Sequence, residues 1–272
     1  MAPITVTHHL VRRGETSIEV LAQGKGRLVV LLPSLGRGAD DFEPIADELA
    51  EAGMRVLRPQ PRGIGQSRGA LSGIDLHDLS ADIAAVIEHE QAGPAFVVGH
   101  AFGNRVARLL ATDRPELVRA VSLVAANVGK APSPPRVREA IKASANPSLP
   151  DDERLEALQF AFFAPGNDAR PWLRGWHPDV LAAERVAGDR TSREEDYVAG
   201  QAPVLYLQPD HDPLAHPEDA HDYKRALGER VTVVIIPHAS HAAIAEQPRF
   251  IAQALIDYAR ALDEKAPAHV QA

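Results

Sequence analysis

Short apolar runs separated by longer amphipathic stretches set the rhythm of this chain from Arg27 onward. The runs are RLVVLLP (27–33), MRVLRP (54–59), AFVVGH (95–100), VRAVSLVAA (118–126), PVLYLQ (203–208) and VTVVIIP (231–237). Each is continuous rather than alternating in character, as strands are when helices cover both faces of a parallel sheet. Between them, DDFEPIADELAEAG (40–53), LHDLSADIAAVIEHEQAG (76–93) and GNRVARLLATDRPE (103–116) carry the periodicity of amphipathic helices. Two further pieces before Arg27, ITVTHHLV and SIEVLAQG, predict an antiparallel edge. The expected architecture is an α/β fold around a mostly parallel sheet of about eight strands, flanked by helices.

That rhythm breaks between Ala126 and Pro203. Residues 127–202 hold no strand-like run but contain helical patterns, prolines from Pro132 to Pro178, and the aromatics Phe160, Phe162, Phe163, Trp172, Trp176 and Tyr197. This predicts short helices and loops forming a lid inserted between the sixth and seventh strands. The domain reading is therefore a first core part (1–126), a helical lid (127–202), a second core part (203–263) and a tail (264–272). Most of the lid aromatics are expected to fill its own small core.

Composition narrows the function classes. With 272 residues and 45% hydrophobic content the chain can bury one large core. Its 29 basic and 37 acidic residues give a formal charge of -8, and the basic ones are scattered, which argues against nucleic acid as a partner. There is no cysteine, hence no disulfide framework, thiolate metal site or thiol nucleophile. No run approaches the roughly 18 apolar residues of a membrane span, and the first residues lack a secretory apolar stretch. The expectation is a cytoplasmic protein without membrane or cofactor, with a small-molecule substrate as partner; association into a homo-oligomer is left open. His211, His216 and His221 match no common metal-ligand spacing and are expected at the solvated surface, so no metal site is assigned.

The chemistry concentrates at VVGHAFGNRVA (97–107), a buried strand, the pentad Gly99-His100-Ala101-Phe102-Gly103, and a helix. Glycines two before and two after a central residue are what a sharp strand-to-helix turn needs, because side chains there would collide with backbone. Here the chain resembles the α/β-hydrolase superfamily, in its lid-bearing, serine-hydrolase-like branch, over nearly its whole length. RPQPRGIGQS (58–67) is similar to the Asp-x-Arg-Gly-x-Gly-x-Ser loop of many members, with Gln60 in place of the aspartate. LYLQPDHDPLAHPE (205–218) resembles the loop carrying the catalytic acid, and IIPHASHAAIAEQP (235–248) the loop delivering the catalytic histidine.

The resemblance implies Asp212 as the acid, with Asp210 as its competitor, and His241 as the general base. It implies backbone oxyanion donors at Phe102 and Leu35, the latter in a loop where Pro33-Ser34 replaces the usual His-Gly pair. His100 is implied as structural. Ser34, Trp172 and Trp176 are candidate substrate contacts, with the Phe160–Phe163 stretch as further apolar wall, for a small and largely apolar ester, lactone or similar molecule. Ala101 stands where the resemblance puts the nucleophilic serine, and a methyl group cannot attack a carbonyl. Two origins remain open, a natural serine-less branch and an inactivating replacement of serine. Two functions also remain open: a hydrolase relying on the Asp212–His241 dyad, and a non-catalytic small-ligand-binding protein on the same scaffold.

Overall fold

The computed structural model describes residues 4–128 and 134–265. The expected lid residues 129–133 and the expected tail from 266 onward lie outside them. In chain order the strands are β1 (Thr7–Arg13), β2 (Thr16–Gly24), β3 (Arg27–Leu32), β4 (Met54–Pro59), β5 (Ala95–His100), β6 (Val118–Val124), β7 (Val204–Pro209) and β8 (Val231–Ile236). They form one sheet in the order β1-β2-β4-β3-β5-β6-β7-β8. The β1/β2 and β2/β4 pairs are antiparallel and every other neighbouring pair is parallel. The chain thus has the α/β-hydrolase type of sheet, with the antiparallel edge where ITVTHHLV and SIEVLAQG predict it.

Helices α1 (Glu43–Glu51) and α9 (Pro248–Lys265) cover one face of the sheet, and α2 (Leu76–Glu90), α3 (Gly103–Asp113) and α7 (Pro217–Leu227) the other. Successive strand residues point to opposite faces. In β5, Val97 accordingly packs with Leu109, Leu110 and Tyr223 on the α3 side, whereas Val98 packs with Phe42, Ile45 and Leu255 on the α1 side. Both faces are dry over the central strands, which is why their runs in the sequence are continuously apolar, whereas the edge strand β8 leaves Ile235 exposed. Between β6 and β7 lie α4 (Pro135–Ser144), α5 (Asp151–Ala161) and α6 (Pro178–Arg190), and α8 (Ala243–Glu246) follows β8. Leu158, Phe162, Phe163 and Trp172 of this helical segment form a third apolar cluster with Leu214 and Ala242 of the sheet domain.

Strand order reverses between β3 and β5: β4 lies outside β3, β6 outside β5, and Leu32 pairs with Gly99 at the shared end. A crevice opens outside the carboxyl ends of strands at such a switch point, and it is where ligands bind in open α/β sheets. The segments leaving β3 and β5 there are Pro33–Gly36 and Ala101–Gly103.

The loop after β4 is fixed by charge. Arg62 Nε and Nη2 donate to Asp82 of α2 at 2.6 and 3.0 Å, both side chains are buried, and Arg13 from β1 donates to the same carboxylate. Breaking a buried pair by removing one partner strands the other charge. Asp82→Ala is expected to cost about 3–5 kcal/mol of stability, read as the shift in urea unfolding; a loss below about 1 kcal/mol, the range of exposed pairs, would show that the pair is solvated.

Candidate active site

The turn from β5 into α3 leaves no room for side chains at its ends. A Cβ on Gly99 would sit 2.5 Å from the Asn104 nitrogen, and one on Gly103 would sit 2.5 Å from the Leu32 carbonyl oxygen and 2.7 Å from that of Pro33. Between them Ala101 takes a left-handed backbone, φ 48°. For a residue with a Cβ that conformation costs roughly 1–2 kcal/mol. It is held by hydrogen bonds: the Ala101 N–H donates to the Val124 carbonyl (3.0 Å), as does the Asn104 side-chain amide (2.9 Å), and the Asn104 N–H donates to the Ala101 carbonyl (3.1 Å). Asn104 thereby ties the turn to the end of β6.

His241 follows β8. Its Nδ1 lies 2.9 Å from Oδ2 of Asp212, and both side chains are buried. The other carboxylate oxygen of Asp212 accepts the N–H groups of Leu214 (2.8 Å) and Ala215 (3.0 Å), which compensates an ionised acid removed from water. Asp210 stands elsewhere. It accepts the backbone N–H groups of His238 and Ala239 and pairs with His211, so it braces the loop that carries His241 without touching the imidazole. His100 is fully buried and its Nε2 donates to the His241 carbonyl at 2.7 Å. Burial, then repulsion from His241 and Arg37, pushes its pKa down to about 3 against that hydrogen bond. It is a neutral donor at ordinary pH that fixes the backbone of the histidine loop.

Ser34, Leu35, Ala101, Phe102, Trp176 and His241 line one cavity of about 200 Å³ at the switch point. Phe162, Ile141, Leu181 and Leu214 complete its apolar wall. Trp172, expected among the substrate contacts, does not reach it. Its ring is buried under the Arg37 guanidinium, 4.3 Å from the centroid, and against Phe162, Phe163 and Trp176. The same holds for Phe163, buried in the third cluster, and for the largely exposed Phe160, which sits under Arg136. Of that aromatic stretch, Phe162 alone meets the cavity. The expectation of an apolar pocket is also incomplete, since Arg105, Arg185 and Arg193 reach it. Their scattered places in the sequence, on α3, on α6 and beyond α6, carry no signal of this convergence.

A buried glutamate and a half-buried one were likewise not legible. Glu184 of α6 accepts the Gly36 N–H at 2.7 Å, next to Leu35. Glu246 accepts the N–H groups of Ser240 (2.6 Å) and Ala164 (2.7 Å), joining the histidine loop to the segment after α5. Gln60 presents its side-chain oxygen to the Ala39 N–H at 2.9 Å, so the loop after β3 is held by a neutral amide where the resemblance expects a carboxylate. Among the described residues no group of three or more His, Asp or Glu side chains is placed to hold a metal ion, and no helix is long and apolar enough to cross a membrane.

Residues 29–254, most of the chain, match the model of the alpha/beta hydrolase family. The chain belongs to the alpha/beta hydrolase family. Its relatives include hydrolases. One is the 2-(acetamidomethylene)succinate hydrolase of Mesorhizobium japonicum, 31% identical over 123 residues that span 44% of either chain. Another is epoxide hydrolase A of Mycobacterium tuberculosis, 32% identical over 126 residues spanning 44% of this chain and 39% of the relative. These matches cover less than half the length of the curated relatives. Over the whole fold the chain superposes on the esterase of Exiguobacterium antarcticum with a TM-score of 0.79, covering 93% of this chain and 100% of that one at 17% identity.

In this alpha/beta hydrolase the Glu184 carboxyl has no ion-pair partner among the described residues, and burial, opposed by the Gly36 hydrogen bond, raises its pKa to about 8. A carboxyl with a raised folded pKa costs nothing below its unfolded value near 4.5, and stability is lost as pH climbs from there through about 8. Glu184→Gln keeps an acceptor for the Gly36 amide and removes the titration. The variant is expected to match the parent near pH 4.5 and to unfold at increasingly higher temperature than it as pH rises, levelling above about pH 8; melting curves that stay parallel from pH 4.5 to 9 would contradict this.

Proposed function

We propose that the chain is a hydrolase acting on an ester, lactone or similar acyl bond of a small molecule, with His241 as general base, Asp212 orienting it, and no covalent nucleophile at Ala101. The observation that carries this reading is the buried 2.9 Å contact between His241 Nδ1 and Asp212, with His241 and Ala101 lining the same cavity. A carboxylate on one ring nitrogen sets the tautomer, so the other nitrogen is free to accept a proton. In the proposed step a water oxygen attacks the acyl carbon as Nε2 of His241 takes its proton. The electron pair of the carbonyl moves to oxygen, where the N–H groups of Leu35 and Phe102 are the donors for the resulting oxyanion. Collapse of that intermediate breaks the bond to the leaving group, which takes the proton back from the imidazolium. Water replaces the missing hydroxyl, and the methyl of Ala101 leaves room for it.

The helical segment between β6 and β7 acts in this reading as a lid, since Trp176, Leu181 and Phe162 form the cavity wall opposite the turn. Ala101 favours the second reading, a binding protein that keeps pocket and dyad without turnover, and kinetics separate the two. In serine hydrolases stripped of the nucleophile, the oxyanion hole and binding alone retain about 10³–10⁴-fold over water. If His241 adds general-base action on water to that remnant, worth about 10²–10⁴-fold, the chain as it stands is expected to hydrolyse a 4-nitrophenyl ester slowly and without a burst, and to fall to the remnant on His241→Ala. Ala101→Ser adds one atom to a turn already bent for it and should produce a burst of 4-nitrophenol that disappears in the Ala101→Ser, His241→Ala double variant. No turnover by any variant, with circular dichroism unchanged, would assign the scaffold to ligand binding.

A further inference from the structure

The cavity carries a net positive rim in a chain of net charge -8. Arg105, Arg185 and Arg193 line it, and among the described residues no aspartate or glutamate does. The guanidiniums are under-compensated. Arg105 pairs with the buried Asp196, and Arg108 reaches the same carboxylate at 3.8 Å. Arg193 stands in the field of this group but, among the described residues, has no carboxylate bonded to it and makes one hydrogen bond, from Nη1 to the Asn127 carbonyl, 3.0 Å. Arg193 is exposed at the cavity mouth yet partly screened from water there, and that screening, then the neighbouring Arg105, push its pKa down, with Asp196 opposing them. Two guanidiniums thus share one buried carboxylate, and Arg193 has none bonded to it. Arg185, projecting from α6, has no ion pair or hydrogen bond among the described residues. Arg105 is spent on structure, since it also donates to the Gly188 and Thr191 carbonyls. Arg185 and Arg193 keep donors to spare, on the same cavity as His241.

We infer that the substrate bears a carboxylate, which docks on Arg185 and Arg193 while its acyl group lies between His241 and the amides of Leu35 and Phe102. The docking site is a property of the cavity alone; placing the acyl group rests on the hydrolase reading above. A planar carboxylate suits a guanidinium, which offers it paired N–H donors. In a site partly shielded from water such a pair is worth more than on an open surface. An arginine at a protein surface is more often simply solvated, and measured affinity distinguishes the cases.

Titration calorimetry with succinate, its neutral analogue succinamide and inorganic phosphate tests the site without any turnover. Succinate is expected to bind at least tenfold more tightly than succinamide, and to lose that margin in Arg185→Gln, Arg193→Gln and the double variant. Arg185→Gln removes no bond from the fold, so its result stands even where Arg193→Gln unfolds. Equal affinity for succinate and succinamide, or a succinate affinity unmoved by Arg185→Gln, would overturn the inference; phosphate binding more tightly than succinate would overturn the carboxylate assignment. In Ala101→Ser, kcat/KM for 4-nitrophenyl hemisuccinate against 4-nitrophenyl butyrate gives the second readout, with a ratio of at least ten expected to fall toward one when both arginines are replaced. Hydrolysis of both esters with no preference would remove the carboxylate site and leave the hydrolase standing. Succinate binding that depends on the arginines, with neither ester hydrolysed, would do the reverse.

Discussion

Everything at the candidate site depends on how closely β5 and α3 approach the end of β3. The missing side chains at Gly99 and Gly103 let the turn press onto the Leu32 and Pro33 carbonyls, at distances that a Cβ could not occupy. That contact brings Leu35 and Phe102 to one cavity although they are far apart in sequence. It also forces the backbone of Ala101 into a left-handed conformation, and such strain persists where the surroundings over-determine it. Here they do so through the Val124 carbonyl, which accepts from both Ala101 and Asn104. The sharp turn and its bracing are complete without a hydroxyl at position 101, so the geometry constrains position 101 but not its chemistry.

The helical segment between β6 and β7 is bonded to both loops that make the cavity. Glu184 of α6 takes the Gly36 N–H, and the His177 N–H donates to the Gly36 carbonyl. Arg37, next in the loop, donates to Asp41 and to the Arg174 carbonyl while stacking on Trp172 and Trp176. On the other side, Glu246 and the Ala242 N–H bond to Ala164 and Phe162. Lifting this segment as a body would leave buried donors unpaired at about 1–3 kcal/mol each. Access to the cavity therefore has its lowest cost at the mouth, where Arg185 and Arg193 are exposed, rather than by wholesale opening.

The fold was legible because its signals are local. Apolar runs of strand length, helical periodicity between them and glycines two residues either side of a turn each follow from covalent geometry within a few residues. Asp212 and His241 came instead from the resemblance of their loops to those of a known family, and the structure brings the two side chains within 2.9 Å. Side-chain direction was not legible. Trp172 and Trp176 lie four residues apart with like composition around them and both stack on Arg37, yet Trp176 lines the cavity while Trp172 turns inward, its carbonyl accepting the Trp176 indole N–H. Nothing short of the tertiary packing separates the two. Glu184, Glu246 and the arginines are illegible for a related reason: a charged residue on an amphipathic helix reads as solvent-facing until the partner surface is known.

Electrostatics ties these parts together. Asp212 spends one oxygen on His241 and the other on two backbone N–H groups, so little of its charge projects into the cavity. Glu184, with its pKa near 8, is neutral over most of the range in which an imidazole base works. His100 is neutral too. What remains at the cavity without a bonded carboxylate, among the described residues, is positive: the guanidiniums of Arg185 and Arg193. A fixed positive field costs no reorganisation when negative charge develops, and it lowers the free energy of an oxyanion more than that of a neutral carbonyl. The rim that would hold an anionic substrate would therefore also assist the proposed attack by water, and it would matter more here than in a site with a serine to share the work.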